Sequence, residues 1–327
     1  MRNETPDRDA DDRQWIDHPS GFLALSGDNL RWRAPGLPGF IAYREYGRHL
    51  VSFGGVHGPP DARGPLLDSL LAHATARGRR LLAVQVRSHQ VPLFADRGFT
   101  VNRFGTSYGV TLAGYSFRGT PKMKLRNKIK RAQAVLQVVE VGAELPRTAA
   151  TFAALDAISR TWLAKKKKKE IEFMVGQLGG PDDHERRIFV AQDAASRLVG
   201  FVTYVPVWGR HPGYLHDLTR KHPDAPVGTM ELINSVALER LRGEGVGHLH
   251  FGFTPFIADG EEPASASRLM SRAVSVLARY GSAVYPAQTQ ARYKLKWGPD
   301  LIETEYLAGK PLSPRAVIDL LLLTRSL

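Results

Sequence analysis

Tyr214-Leu215-His216-Asp217-Leu218 leads through Thr219-Arg220-Lys221-His222-Pro223-Asp224-Ala225-Pro226-Val227 to Gly228-Thr229-Met230. The first five residues have the composition of a strand. The double proline marks a loop, and a helix period begins at Gly228 and runs to about Arg242. A further strand follows at His248-Leu249-His250-Phe251. Upstream lie a helix from about Ala149 to Trp162 and strands at 187–191 and 198–205. Downstream come a helix over about 266–279, a closing segment over 283–297 and a C-terminal helix. The first half has the same order. Strands are expected at Gly21–Leu25, Phe40–Tyr43 and His49–Phe53, a helix from Pro65 to Ala76, and a strand over Leu81–Val86. A short helix through Val91–Gly98 and a strand over Phe99–Val110 complete that half. Two successive units of this kind imply an internally duplicated α/β (α+β) architecture, with mixed central sheets flanked by helices.

That order fits two acetyltransferase-like (GNAT) folds in tandem, and Leu93-Phe94-Ala95-Asp96-Arg97-Gly98-Phe99 resembles the aromatic-x-x-x-Gly-Phe segment of many such domains. The expected organisation is a disordered tail over 1–18 and an N-terminal GNAT-like domain over 19–117. A basic linking helix and strand over 118–148 and a C-terminal GNAT-like catalytic domain over 149–327 follow.

The composition limits the chemistry. The 327 residues contain no cysteine, which removes disulfides and thiolate catalysis. No histidine pair stands at metal-ligand spacing with a third partner, so no metal is expected. The longest apolar run, at Ala316–Leu323, is interrupted by Asp319 and is far short of the roughly 20 residues that span a membrane. A cytoplasmic protein, peripheral at most to the inner face of a membrane, is the expectation. The formal net charge of +13 attracts polyanions, whether nucleic acid, anionic lipid or phosphorylated substrates.

Much of that charge is concentrated between the two units, where no acid occurs from Arg118 until Glu140. Thr120 suits an N-cap and Pro121 a first helical residue. The helix would carry Lys122, Lys124, Arg126, Lys128, Lys130 and Arg131, with Leu125 and Ile129 on one apolar seam and a cationic face fit for phosphates. Lys165, Lys166 and Lys167 begin a run of five lysines expected in a loop after Trp162, another candidate phosphate contact.

A coenzyme A-dependent acyltransferase of this fold cradles the pyrophosphate on backbone amides before a helix N-terminus. The matching text, Arg242-Gly243-Glu244-Gly245-Val246-Gly247, follows a helix and precedes a strand, where the dipole repels anions. At the proper position the chain offers Pro223 and Pro226, which donate no N–H. No coenzyme A is therefore expected.

The chain resembles the catalytic domain of the lysyl- and alanyl-phosphatidylglycerol synthases, a tandem-GNAT, aminoacyl-tRNA-dependent family. The likeness runs from about Gly21 to Leu307. It rests most on Asp217-Leu218-Thr219-Arg220 with Pro223-Asp224-Ala225-Pro226-Val227-Gly228-Thr229-Met230. Trp162-Leu163-Ala164, the Lys124–Ala132 helix, Phe251-Gly252-Phe253-Thr254-Pro255 and Tyr293-Lys294-Leu295-Lys296-Trp297-Gly298-Pro299 add to it. The family's membrane-spanning half has no counterpart, so a stand-alone soluble member is expected. The text over Val284–Arg292 departs from the family's.

The resemblance implies an aminoacyltransferase that moves an amino acid from charged tRNA to a hydroxyl or amine. The acceptor would be a phosphatidylglycerol-type lipid or a natural-product metabolite. Because the tRNA ester is already activated, direct attack needs neither ATP nor metal, only removal of a proton and stabilisation of an oxyanion. Asp217, expected at a strand end, would anchor an α-ammonium group or position the acceptor, and Arg220 would hold a phosphate or carboxylate; a plain i,i+3 ion pair between them is the structural alternative. Lys294 and Lys296 would point to one side of an extended segment, and the resemblance favours Lys296 for the oxyanion. Tyr204, Trp208, His216, Gly252, Phe253 and Thr254 are candidate substrate contacts. Two other readings remain open, an acyl-coenzyme A N-acyltransferase and a non-catalytic RNA-binding module.

Overall fold

The computed structural model describes residues 12–25, 29–166, 176, 178–179, 181–257, 260–280 and 286–324. The first half begins with α1 (Gly21–Ala24) and the antiparallel strands β1 (Leu30–Trp32), β2 (Ile41–Tyr46) and β3 (His49–Phe53). Helix α2 (Pro60–Ala76) crosses over to β4 (Arg80–Arg87), parallel to β3. Then come α3 (Val91–Ala95) and the long β5 (Thr100–Thr111). A 3₁₀ turn at Thr120–Lys122 leads into α4 (Met123–Gln133) and β6 (Gln137–Glu140).

The second half repeats the plan. Helix α5 (Ala149–Lys166) precedes the antiparallel run β7 (Arg187–Gln192), β8 (Leu198–Val207) and β9 (Gly213–Lys221). Helix α6 (Thr229–Gly243) crosses to β10 (His248–Pro255), parallel to β9. Helices α7 (Arg268–Tyr280) and α8 (Ala287–Leu295), strand β11 (Leu301–Gly309) and helix α9 (Pro314–Leu323) complete the described chain.

Among the described residues, eleven strands join one sheet in the order β1-β2-β3-β4-β11-β5-β10-β9-β8-β7-β6. The duplicated α/β reading is therefore correct, and the two halves are stitched together. β11 follows α8, which packs beside β10, yet it inserts between β4 and β5 of the first half. β5 in turn pairs with β10 of the second. Main-chain hydrogen bonds thus run from edge to edge.

Three local expectations change. Gly21–Ala24 is helical, not a strand; a short run of buried apolar residues fits either conformation, and packing on Ile16 decides it. Residues 12–18 are packed and no tail: Ile16 and His18 are buried, and Asp12 pairs with Arg33. α5 continues to Lys166, so Lys165 and Lys166 lie on a helix; Lys167 is outside the described residues.

Backbone irregularity re-aims β4 and β10. Gln85 has φ 54°, and the β4–β11 register shifts between Tyr306 and Ala308. Val86 consequently joins Leu81 and Ala83 in the core under α2, although the alternation of Leu82 and Val84 would turn it to the core under α9. Gly252, at φ 73°, does the same in β10, where the register with β5 shifts after His250. Among the described residues no helix is long and apolar enough to cross a membrane.

Because β11 and β5 each belong to the hydrogen-bonded ladder of both halves, neither half can unfold alone without exposing the other's strand edge. Thermal or denaturant unfolding is expected as one transition, with fluorescence and far-UV circular dichroism superimposing; two separated transitions would contradict this.

Candidate functional site

The two parallel strand pairs differ. β3 and β4 stay paired from His49↔Arg80 to Phe53↔Val84. β9 and β10 pair only from Gly213↔His248 to Leu215↔His250. Beyond that point β9 continues along β8 to Lys221, and β10 continues along β5 to Pro255. The strands splay and open a cavity of about 460 Å³, a volume suited to a small ligand or the end of a larger one. His216, Asp217, Thr219 and Arg220 line one side, Phe251, Gly252 and Phe253 the other. Gln85, Tyr293 and Lys294 form part of the wall, and Phe104, Leu215, Phe256, Leu320 and Leu321 make it largely apolar.

Lys294 is the central polar group. It lies on α8, a helix where an extended segment was expected, so Lys294 and Lys296 do not share a side. Its Nζ donates to the carbonyls of Gly252 at 2.9 Å and Phe253 at 2.8 Å, on the β10 edge that faces no partner strand. Burial pushes its amine down to about 7, against the attraction of Glu305. Near neutral pH the amine is thus divided between its charged and neutral forms. In the neutral form two N–H donors remain for the two carbonyls, and the lone pair is left for a substrate.

Lys296 lies outside the cavity lining. Its Nζ is 2.7 Å from Glu231 on α6 and stacks 3.6 Å over the Tyr293 ring. Burial lowers its pKa and the Glu231 bond opposes that shift. Glu231 is itself pushed up by burial but held below its ordinary value by Lys296 and Lys128. The lysine favoured from the resemblance is therefore held in an ion pair with Glu231, and its neighbour two residues earlier faces the cavity.

Asp217 is near the middle of β9, not at its end, and is almost fully buried. It does not pair with Arg220. The Arg186 guanidinium donates to its Oδ2, and the Gly176 amide donates to Oδ1 at 2.9 Å. Arg186 also meets Asp183 at 3.2 Å, so two carboxylates surround one guanidinium. Arg220 instead lies over Trp162, its Cζ 4.6 Å from the ring centroid, with Nη1 donating to the Thr219 carbonyl at 3.0 Å. His216 bonds Thr219 Oγ1, and burial with the nearby Lys294 charge drives its pKa down to about 3, so the ring is neutral.

The remaining candidates divide. Phe253 and Gly252 line the cavity. Thr254 is fully buried behind them. Tyr204 is a core residue: its hydroxyl donates to Asn234 Oδ1 at 2.9 Å, and Asn234 in turn bonds the Tyr293 hydroxyl at 3.0 Å. Trp208 lies elsewhere, packed on Phe22 and covered by Arg13. Arg186, Tyr293 and Asn234 went unassigned in the sequence. Arg186 sits just ahead of β7 with no pattern to single it out, whereas Tyr293 stands in the quoted Tyr-Lys-Leu-Lys-Trp text and was recoverable.

The basic helix packs on the start of α6, whose Met230 lines the cavity. Thr120 makes no side-chain cap; α4 starts at Met123 after the 3₁₀ turn. Lys124, Lys130 and Arg131 are exposed, and Lys128 reaches Glu231 at 3.3 Å. Two cations serve structure: Lys122 covers the Tyr115 ring and donates to the Ser116 carbonyl, and Arg126 donates to the Phe117 and Gly119 carbonyls. At Gly228, φ 96°, a Cβ would collide with the Lys128 carbonyl, so α4 packs directly on the start of α6. The amides of His222, Ala225 and Thr229 in the preceding loop already donate to Val199, His222 and Pro226.

The depressed Lys294 pKa has a sign that can be measured. The unfolded chain keeps this amine protonated to about 10.4, the folded chain only to about 7, so unfolding takes up a proton between those values. Stability from this group rises with pH across that window. Between pH 7 and pH 9 the wild type is expected to gain denaturation free energy relative to Lys294→Met; parallel pH profiles would show that the amine titrates normally.

Residues 12–309 match the family described as phosphatidylglycerol lysyltransferase, C-terminal. A lysylphosphatidylglycerol biosynthesis bifunctional protein LysX of Mycobacterium leprae is 26% identical over 286 residues, covering 86% of this chain and 25% of its own length. A phosphatidylglycerol lysyltransferase of Bacillus subtilis is 24% identical over 284 residues, covering 86% and 32%. This chain thus spans a quarter to a third of those relatives. The crystal structure of the C-terminal domain of a putative lysylphosphatidylglycerol synthetase from Agrobacterium fabrum superimposes with a TM-score of 0.79 at 23% identity, over 97% of this chain and 95% of that one. L-PGS from Bacillus licheniformis gives 0.79 at 18% identity, over 96% and 93%. The match over nearly all of the described sheet makes this chain a member of the phosphatidylglycerol lysyltransferase C-terminal family.

Proposed function

We propose that the chain is an aminoacyltransferase that carries an amino acid from charged tRNA to a hydroxyl of a phosphatidylglycerol-type lipid. The observation that carries this reading is Lys294, a buried amine poised near 7 on the wall of the splayed cavity. The names of the relatives support the lipid acceptor. Three further features favour tRNA over coenzyme A as donor. The loop before α6 has two prolines, and its His222, Ala225 and Thr229 amides are already bonded. α4 crowds the start of α6, and its exposed Lys124, Lys130 and Arg131 flank the site with charge for an RNA backbone.

In this mechanism the aminoacyl ester enters between β9 and β10. The Asp183–Arg186–Asp217 cluster carries one excess negative charge among the described residues and attracts the α-ammonium group. Neutral Lys294 takes the proton from the acceptor hydroxyl as its oxygen attacks the aminoacyl carbonyl carbon. The new ester bond forms, the bond to the tRNA 3′-oxygen breaks, and the lysine ammonium returns the proton to that oxygen. Neutral His216 and the apolar wall exclude competing charge and water.

The test is transfer of radiolabel from a pool of aminoacyl-tRNAs to phosphatidylglycerol or to a cell metabolite extract. Label is expected in lipid, and RNase should abolish transfer. Transfer only to a water-soluble metabolite, or saturable coenzyme A binding with acyl transfer, would contradict the reading. Lys294→Met is expected to lower kcat by about 10²–10⁴ and to remove the limb of the pH–rate profile near 7, whereas Lys296→Met should keep that limb. Charge reversal at Lys124, Lys130 and Arg131 should raise KM for tRNA and flatten its salt dependence by about 0.7–0.9 per lost phosphate contact, with kcat retained.

A further inference from the structure

Helices α7 and α9 cover the same face of the first-half sheet. Met270 of α7 and Ala316, Val317, Leu320 and Leu323 of α9 belong to a single core cluster, on the side opposite α2. With their inner faces so used, an ordinary surface helix would turn polar residues to water. These two do not. On α7, Leu269 is 70% and Val276 56% exposed; on α9, Ile318 is 44% and Leu322 40% exposed. The α7 pair sits among three arginines and the α9 pair beside one. Leu269, Arg272, Val276 and Arg279 fall at i, i+3, i+7 and i+10, with Arg268 beside them, and Arg315, Ile318 and Leu322 share one face of α9.

The outward faces are cationic as well as apolar. Among the described residues no carboxylate pairs with Arg268, Arg272 or Arg279, and all three are exposed. Arg315 touches Asp319 at 3.0 Å but keeps 73% of its side chain in solvent. Asp319, the one acid within either helix, is buried against His49 at 2.8 Å. Single exposed leucines are common and mean nothing alone. Four large apolar side chains and four arginines on two helices of one sheet face have the composition of a surface that lies in the interface of an anionic bilayer.

The inner side of α9 adds a functional reason. Leu320, Leu321 and Thr324 line the splayed cavity, so the helix whose outer face is cationic and apolar has its other face on the site. We propose that the outer faces of α7 and α9 together form a docking surface for an anionic lipid bilayer. Docked there, the cavity wall lies one helix thickness from the headgroups, and an acceptor hydroxyl reaches Lys294 while its hydrocarbon stays in or near the membrane. The surface extends the lipid-acceptor reading, yet binding to a bilayer requires no turnover, so the two can fail separately.

The test uses the full chain without any donor, in flotation with vesicles of phosphatidylcholine alone or mixed with phosphatidylglycerol. Binding to the mixed vesicles is expected, with little to the neutral ones, and release as ionic strength rises. Leu269→Ser with Val276→Ser, and separately Arg272→Glu with Arg279→Glu, should each weaken binding at least tenfold at unchanged melting temperature. Ile318→Ser with Leu322→Ser should do the same from α9. Equal binding to neutral vesicles, or unaltered binding by all three variants, would overturn the proposal. So would a wild-type dimer in sedimentation that the same variants dissociate, because the face would then join two copies of the chain. Vesicle binding by a chain that transfers no amino acid would keep the surface and remove the enzyme reading.

Discussion

The divergence of β9 and β10 after three paired residues is the constraint on which the site depends. A parallel pair that parts inside a protein leaves backbone donors and acceptors without their ladder partners, and burying them unpaired is costly. The chain meets part of that demand with a side chain: Lys294 bonds the Gly252 and Phe253 carbonyls. The same burial that makes those bonds necessary strips the amine of water and lowers its pKa. Structural need and chemical poise thus have one origin. In the first half β3 and β4 stay paired over five residues, against three for β9 and β10.

Interleaving of the halves holds the opening in place. β11 and β5 tie the cavity walls into one ladder, and Glu305 on β11 supplies the charge that partly steadies Lys294. Glu305 is itself buried, bonded by Ser107 and near His18 at 3.4 Å. On the other flank, Glu231 collects Lys296 and Lys128 and so fastens α8 and α4 to the start of α6. The basic helix, packed directly on the start of α6, is thus also tied there by one carboxylate that it does not itself contain.

Much of this was legible from residue order. The strand–helix–strand units, the basic helix, and the helix-terminal setting of Arg242–Gly247 all follow from periodicity and from glycine and proline placement. What was not legible is instructive. Tyr293-Lys294-Leu295-Lys296 alternates as a strand would, yet tertiary packing of Ala287, Ala291 and Trp297 makes it helical, which turns one lysine inward and the other toward Glu231. Asp217 and Arg220 have i,i+3 spacing, yet each found a partner distant in sequence or on another element. Buried pairs such as Arg186–Asp217 link residues 31 apart, and no local pattern announces them.

The most direct measurement of the central claim is a crystal structure with a non-hydrolysable 3′-aminoacyl-adenosine analogue. The account predicts the aminoacyl group between β9 and β10, its carbonyl within hydrogen-bond reach of Lys294 Nζ and its ammonium toward Asp217. An analogue bound outside this cleft, with the Lys294 amine turned away from it, would contradict the account.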